Sequence, residues 1–311
     1  MSFLPPELFF PDLAERAVQY NARASVPDFD ACVREYADLA RAARERCAAV
    51  CDIQYGMGAA ERLDLFLPAA AARPAPVFVF IHGGYWRSQT KEDAPVMAPV
   101  FNAAGVAVAP VEYTLLPEAT LAEAVREVRS AVAWIYHHAA QYGLDRERIY
   151  VGGSSAGGHL AGMLAAQDWQ DKYRLPADAI KGVLAMSGLF DLRPLCGINV
   201  NEWLRLHEEQ AQRLSPLFLA PRPSLGMIVS VGGLETEGFK RQTAAYEAMC
   251  RAAGLAVRRV EAGHCNHFDL LCELAKADSA LARATLEMIG GCGGPTRMSG
   301  RHCRLCPPNE G

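Results

Sequence analysis

Apolar runs that alternate with helical patterns constrain this chain more than any other feature. The runs are VFVFI (77–81), GVAVAPV (105–111), RIYVGG (148–153), IKGVLAM (180–186), GMIVSVGG (226–233) and AVRRVEA (256–262). All but the last read as strands buried on both faces, as in parallel sheets covered by helices. The last is more mixed, so an edge strand is expected there. The clearest helix between runs is 120–142, where Thr120 and Glu123 form a capping box ahead of Leu121, Val125, Val128, Val132 and Ile135. Gly143 then supplies a stop. Strand and helix in alternation predict one doubly wound α/β sheet, mostly parallel and flanked by helices.

Upstream, residues 28–50 space Phe29, Val33, Tyr36, Ala40, Ala43 and Cys47 at three- and four-residue steps. An amphipathic helix opened by Asp28 or Asp30 follows. Two short strands should come next, near CDIQYG and RLDLFLP. The second places Leu63, Leu65 and Leu67 on one face, as a half-solvated strand does. PAAAARPAP (68–76) reads as a surface connection. Residues 193–224, rich in Pro, Leu and charge, interrupt the rhythm and are long enough for a small cap over a site. The expectation is a single domain over 1–290, with a disordered Gly/Pro-rich tail at 291–311.

Composition narrows the partners. A formal charge of −4 over 311 residues leaves no basic footprint for nucleic acid. No run of about 18 apolar residues appears, so no membrane span is expected, and MSFLPPELFFPDLAERAV lacks the basic and apolar regions of a signal peptide. A small-molecule substrate, a cytoplasmic location and a homodimer are the resulting expectations. The ten cysteines resemble no small disulfide framework and read as free thiols in a reducing cytosol. Cys303 and Cys306 beside His302, with Cys292 upstream, make only a weak zinc pattern.

Residues 151–160, VGGSSAGGHL, set two serines among four glycines after an apolar run. Strand, Gly-x-Ser-x-Gly, helix is the arrangement of a nucleophile elbow. Centred on Ser155 the match is Gly153 to Gly157; centred on Ser154 it fails at Ala156. Ser155 is therefore the candidate nucleophile. A sharp turn there needs residues without a Cβ two positions before and two after.

Acyl transfer puts negative charge on a carbonyl oxygen, which preorganised amides must meet. The loop IHGGYW offers Gly83 and Gly84, and Ala156 follows the nucleophile. His82 reads as a loop-holding side chain, and Tyr85 and Trp86 as pocket lining. The general base should be a histidine on a loop at the sheet's C-terminal edge. AGHCNHFDL (262–270) offers His264 and His267, with His267 favoured because it precedes a helical run, Leu270–Leu281. Cys265 between them reads as a bystander. For the carboxylate that orients the base, Glu235 follows one strand directly, with Glu237 behind it, and Asp191 follows the preceding strand.

These motifs resemble the α/β-hydrolase branch that contains kynurenine formamidase (arylformamidase), related to the hormone-sensitive-lipase-like esterases. The resemblance spans roughly residues 15–290 and rests on YNARASVPDF, YGMGAAERLDLFLP, HGGYW, GGSSAGGHL, SGLFDL, GGLETEGFKRQ and HCNHFDLL. It implies Ser155 as nucleophile, His267 as base and Glu235 as acid, where the family commonly has Asp. It also implies hydrolysis of N-formyl-L-kynurenine through an acyl-enzyme, with no metal and no cofactor. A carboxylesterase for short-chain or aryl esters would use the same residues. A non-catalytic ligand-binding protein on the hydrolase fold is the reading from a different class.

Overall fold

In the computed structural model, the strand Ala75–Ile81 serves two cores at once. Val77, Val79 and Ile81 enter one apolar cluster, Phe78 and Phe80 the other, and the whole strand is buried. Period-two alternation sends successive side chains to opposite faces, and burying each such side chain stabilises the fold by roughly 1.5–3 kcal/mol. The structure describes residues 8–69 and 74–290. Its strands are β1 (Ala48–Gln54), β2 (Arg62–Leu67), β3 (Ala75–Ile81), β4 (Ala107–Val111), β5 (Leu144–Ser154), β6 (Ile180–Met186), β7 (Gly226–Gly232) and β8 (Val257–Ala262). They form one sheet in the order β1-β2-β4-β3-β5-β6-β7-β8. The pairs β1–β2 and β2–β4 are antiparallel; every other pair is parallel. β8 lies at the sheet edge, as its mixed composition suggested. This is the doubly wound α/β sheet, and helices cover both faces.

The capping box at Thr120 forms, and the helix Leu121–His138 continues as a 3-10 turn to Tyr142, where Gly143 turns left-handed at φ +66°. The N-terminal helix runs Phe29–Arg46 and is capped by Asp28, whose carboxylate accepts from Ala31 N. It is shorter than 28–50, because Ala48–Val50 pair with β2 instead. β2 itself departs from the half-solvated reading. Asp64 is fully buried, since its face is covered and its carboxylate lies 2.8 Å from the buried Lys91 Nζ. The connection expected at 68–76 ends early, because Ala75 already pairs with Leu144; residues 70–73 lie outside the described residues.

The helical run expected at Leu270–Leu281 is broken. A short helix, Asp269–Cys272, passes into a 3-10 turn, and a new helix, Ala280–Gly290, starts where Ser279 Oγ accepts from Ala282 N. Segment 193–224 carries two short helices, Asn201–Leu204 and Glu208–Arg213. His159 Nε2 ties it to the sheet's main helix layer, donating to Leu214 O at 2.7 Å. No helix among the described residues is long and apolar enough to cross a membrane. The tail at 291–311, with Cys292, His302, Cys303 and Cys306, lies outside the described residues.

Candidate active site

Five of the parallel strands deliver a functional loop at their C-terminal ends: His82–Trp86 after β3, Ser155 after β5, Ser187 after β6, Glu235 after β7 and His267 after β8. The carboxyl edge of a parallel sheet is where such folds concentrate their chemistry. Its loops need not pack inside the sheet and can therefore face one another.

Ser155 stands at φ +58°, ψ −118°, between β5 and the helix Ala156–Ala165. An L-residue rarely adopts this region, and the surroundings hold it there. Its N–H donates to Met186 O at 2.9 Å, and its carbonyl accepts from His159 N at 3.0 Å. The flanking glycines are needed for contact between backbones. A Cβ at Gly153 would lie 2.2 Å from Gly157 O, and one at Gly157 would lie 2.0 Å from Ile81 O. The turn is therefore wedged against the end of β3, which brings the β3 loop to the serine. An added Cβ at Gly83 would sit 3.3 Å from Ser155 Cβ. Ala156 opens the helix, so its N–H has no acceptor within that helix and stands at the positive end of the dipole.

His267 and Glu235 meet in a buried pair. His267 Nδ1 donates to Glu235 Oε2 at 2.6 Å. The other carboxylate oxygen accepts from Gly232 N at 2.6 Å and from Ser187 Oγ. A carboxylate out of water needs such donors, and here they also fix its orientation. With the proton on Nδ1, the imidazole keeps Nε2 as its basic nitrogen. Phe239 packs on the ring at 4.3 Å between centroids, and Phe268 at 5.3 Å. Ser187 was missed in the sequence; its place directly after β6, in MSG, was the available signal.

The competing residues are engaged elsewhere. Asp191 is fully buried and holds Arg193, with Nη2 2.7 Å from Oδ2, rather than a histidine. His264 is exposed and 3.4 Å from Glu273. Cys265 is buried, and burial pushes its thiol up to about 12. Glu237 begins the helix Glu237–Ala252 on the surface. His82 holds its loop: Nε2 donates to Glu112 Oε1 at 2.9 Å, and its ring stacks on Tyr113 at 4.4 Å. Burial alone would raise the Glu112 carboxyl, but the His82 hydrogen bond and the amides of Lys91 and Tyr113 hold it below the ordinary carboxylate range.

A cavity of about 650 Å³ opens over this edge, lined by Ser155, His267, Gly83, Gly84 and Tyr85 among others. Trp86 does not line it, contrary to the sequence reading. Residues 85 and 86 both adopt positive φ, +51° and +57°. Tyr85 faces the cavity, while Trp86 is fully buried, edge-on to His159 at 5.1 Å. The cavity instead takes Trp203 from the 193–224 segment, whose Nε1 donates to Tyr85 O at 3.0 Å, and Phe29 from the N-terminal helix. The helix is held down by Tyr36, whose hydroxyl donates to Phe268 O at 2.6 Å. Neither residue was singled out in the sequence, where Phe29 belonged to the stripe of an amphipathic helix and Trp203 to the segment read as a small cap.

Comparison with known proteins places this geometry among relatives. A family model described as BD-FAE matches residues 63–214. Kynurenine formamidase of Salmo salar is 32% identical over 257 residues, which cover 80% of this chain and 84% of that protein. Kynurenine formamidase of Danio rerio is 31% identical over 290 residues, covering 89% and 96% respectively. A crystal structure from Silicibacter sp. TM1040, described as that of a putative thioesterase, is 29% identical and superimposes with a TM-score of 0.76, covering 89% of this chain and 99% of that one. The fold is shared with the α/β-hydrolases, and by sequence the chain belongs to the kynurenine formamidase family.

Proposed function

We propose that this chain is a serine hydrolase that cleaves an aryl formamide, converting N-formyl-L-kynurenine and water to L-kynurenine and formate. The observation that carries the reading is the buried His267–Glu235 pair, opening on the same cavity as a serine held on a strained elbow.

Ser155 Oγ attacks the formyl carbon as His267 Nε2 takes its proton. The carbonyl oxygen becomes an oxyanion met by the amides of Ala156, Gly83 and Gly84. The imidazolium, opposite Glu235, returns the proton to the aniline nitrogen as the C–N bond breaks. A formyl-serine remains. Water, deprotonated by His267, attacks this ester, and formate leaves as Ser155 recovers its proton. The aromatic side chains above the site suit an aryl leaving group. The substrate is a small molecule, and the reading assigns the enzyme to the cytoplasm and to tryptophan catabolism.

Ser155→Ala should lower formate release from N-formyl-L-kynurenine by about 10³-fold or more and abolish labelling by a fluorophosphonate probe, with the fold intact. Unchanged turnover in that variant would end the proposal. Cleavage of p-nitrophenyl acetate by the native chain, with no formate release, would select the carboxylesterase reading. Labelling without turnover of either compound would favour a binding protein.

A further inference from the structure

Two aromatic walls leave the reacting end of the cavity, and each ends in a guanidinium. On one side Phe268, neighbour to His267, meets Phe29 edge-on at 5.1 Å, and Arg23 Cζ stands 4.5 Å from the Phe29 centroid. On the other, Tyr85, which follows the paired glycines, meets Trp203 at 6.2 Å, and Arg87 Cζ stands 4.5 Å from the Trp203 centroid. All six residues line the same cavity. A guanidinium over an aromatic face is directed as well as attracted, and its planar fork keeps its N–H groups free in the plane.

Among the described residues neither Arg23 nor Arg87 has a carboxylate within ion-pair distance, and neither guanidinium carries an interaction beyond its ring contact. Asp93 is the one carboxylate among the described lining residues, and it already accepts from Thr90 N at 3.0 Å. We infer that Arg23 and Arg87 are specificity-determining residues of this site, receiving the carboxylate that the proposed aryl substrate bears at the end remote from the scissile bond. A cavity of about 650 Å³ is within the range that encloses a small-molecule ligand, and a guanidinium fork matches a carboxylate. The inference rests on the Ser155 chemistry proposed above and adds the group that selects among its substrates.

The test uses the full chain and two substrates with one leaving group: N-formyl-L-kynurenine and its methyl ester, both followed by formate release. Masking the carboxylate should raise KM about tenfold with kcat nearly constant. The ester-to-acid ratio of KM should fall toward unity in the Arg23→Gln/Arg87→Gln double variant, and the double lysine variant should recover part of it. Equal KM values in the native chain, or a ratio that survives the double substitution, would overturn the subsite. If neither formamide is cleaved, the same ratio is read on a phenyl acetate bearing a ring carboxymethyl group and on its methyl ester. A preference there keeps the subsite while the formamidase reading falls. A chain inert toward both pairs overturns both, and faster cleavage of acetyl-CoA than of any carboxylate substrate assigns the arginines to phosphate instead.

Discussion

The elbow around Ser155 and the aromatic roof above it are built in opposite ways. The elbow is a few consecutive residues whose backbone contacts define it: Gly157 against the β3 carbonyls and Ser155 N on Met186 O. The roof draws single side chains from segments far apart in the chain, Phe29, Tyr85, Trp203 and Phe268, which touch mainly ring to ring. In the proposed reading, chemistry depends on a serine fixed by sheet-edge backbone, and selection on side chains that dispersion and cation–π contacts hold together. The two should respond differently to substitution.

Glu235→Gln should separate them most sharply. The amide can no longer enforce the Nδ1 proton on His267, so kcat should fall by roughly 10³–10⁴-fold with KM little changed, measured on formate release. A comparable rise in KM would mean that the pair also shapes the roof. Gly157→Ala comes next. Its methyl would meet Ile81 O at 2.0 Å, a backbone atom that cannot yield. Displacing the elbow should cost about 10²-fold in kcat and roughly 1–3 kcal/mol of stability by overpacking, read by thermal unfolding. Trp203→Ala tests the roof alone: KM should rise about tenfold while kcat moves little, because an aryl contact made equally in ground and transition states acts on KM.

The smallest effect concerns the joint between the two regions. Burial lowers the His159 imidazole to about 4, with the Leu214 carbonyl only partly opposing. In the unfolded chain an ordinary histidine titrates near about 6.5. The unfolded state therefore takes up the proton first on acidification. The stability from a neutral His159 is present above about 6.5 and lost as pH falls from there through about 4. Thermal unfolding of His159→Leu should accordingly lie below that of the native chain at neutral pH and converge with it toward pH 4. Parallel curves would place the acid sensitivity elsewhere.

What was legible follows from locality. The elbow reads in five letters because a sharp strand-to-helix turn constrains adjacent residues. The sheet reads in its apolar runs because parallel strands are buried on both faces. The acid stayed open between Glu235 and Asp191, since both follow strands; what separates them is that Arg193, two residues on, holds Asp191. Trp86 misled because two consecutive left-handed residues send adjacent side chains opposite ways, and nothing in YW reveals that. The break at Lys276–Ser279 and the buried Asp64 escaped because a cap and a covering ion pair arise from distant or weakly patterned residues.

The amino-acid sequence by itself determined the strand and helix alternation, the serine on the elbow, and the candidate carboxylates and histidines that follow later strands. Those features depend on residues close together, whose sterics and periodicity act before any long-range contact forms. Tertiary structure alone decided which carboxylate faces His267, that Ser187 holds that carboxylate, and that Phe29 and Trp203 rather than Trp86 enclose the cavity. The reason is that each depends on loops from separate strands converging at one sheet edge, a distance in space that spacing along the chain does not encode.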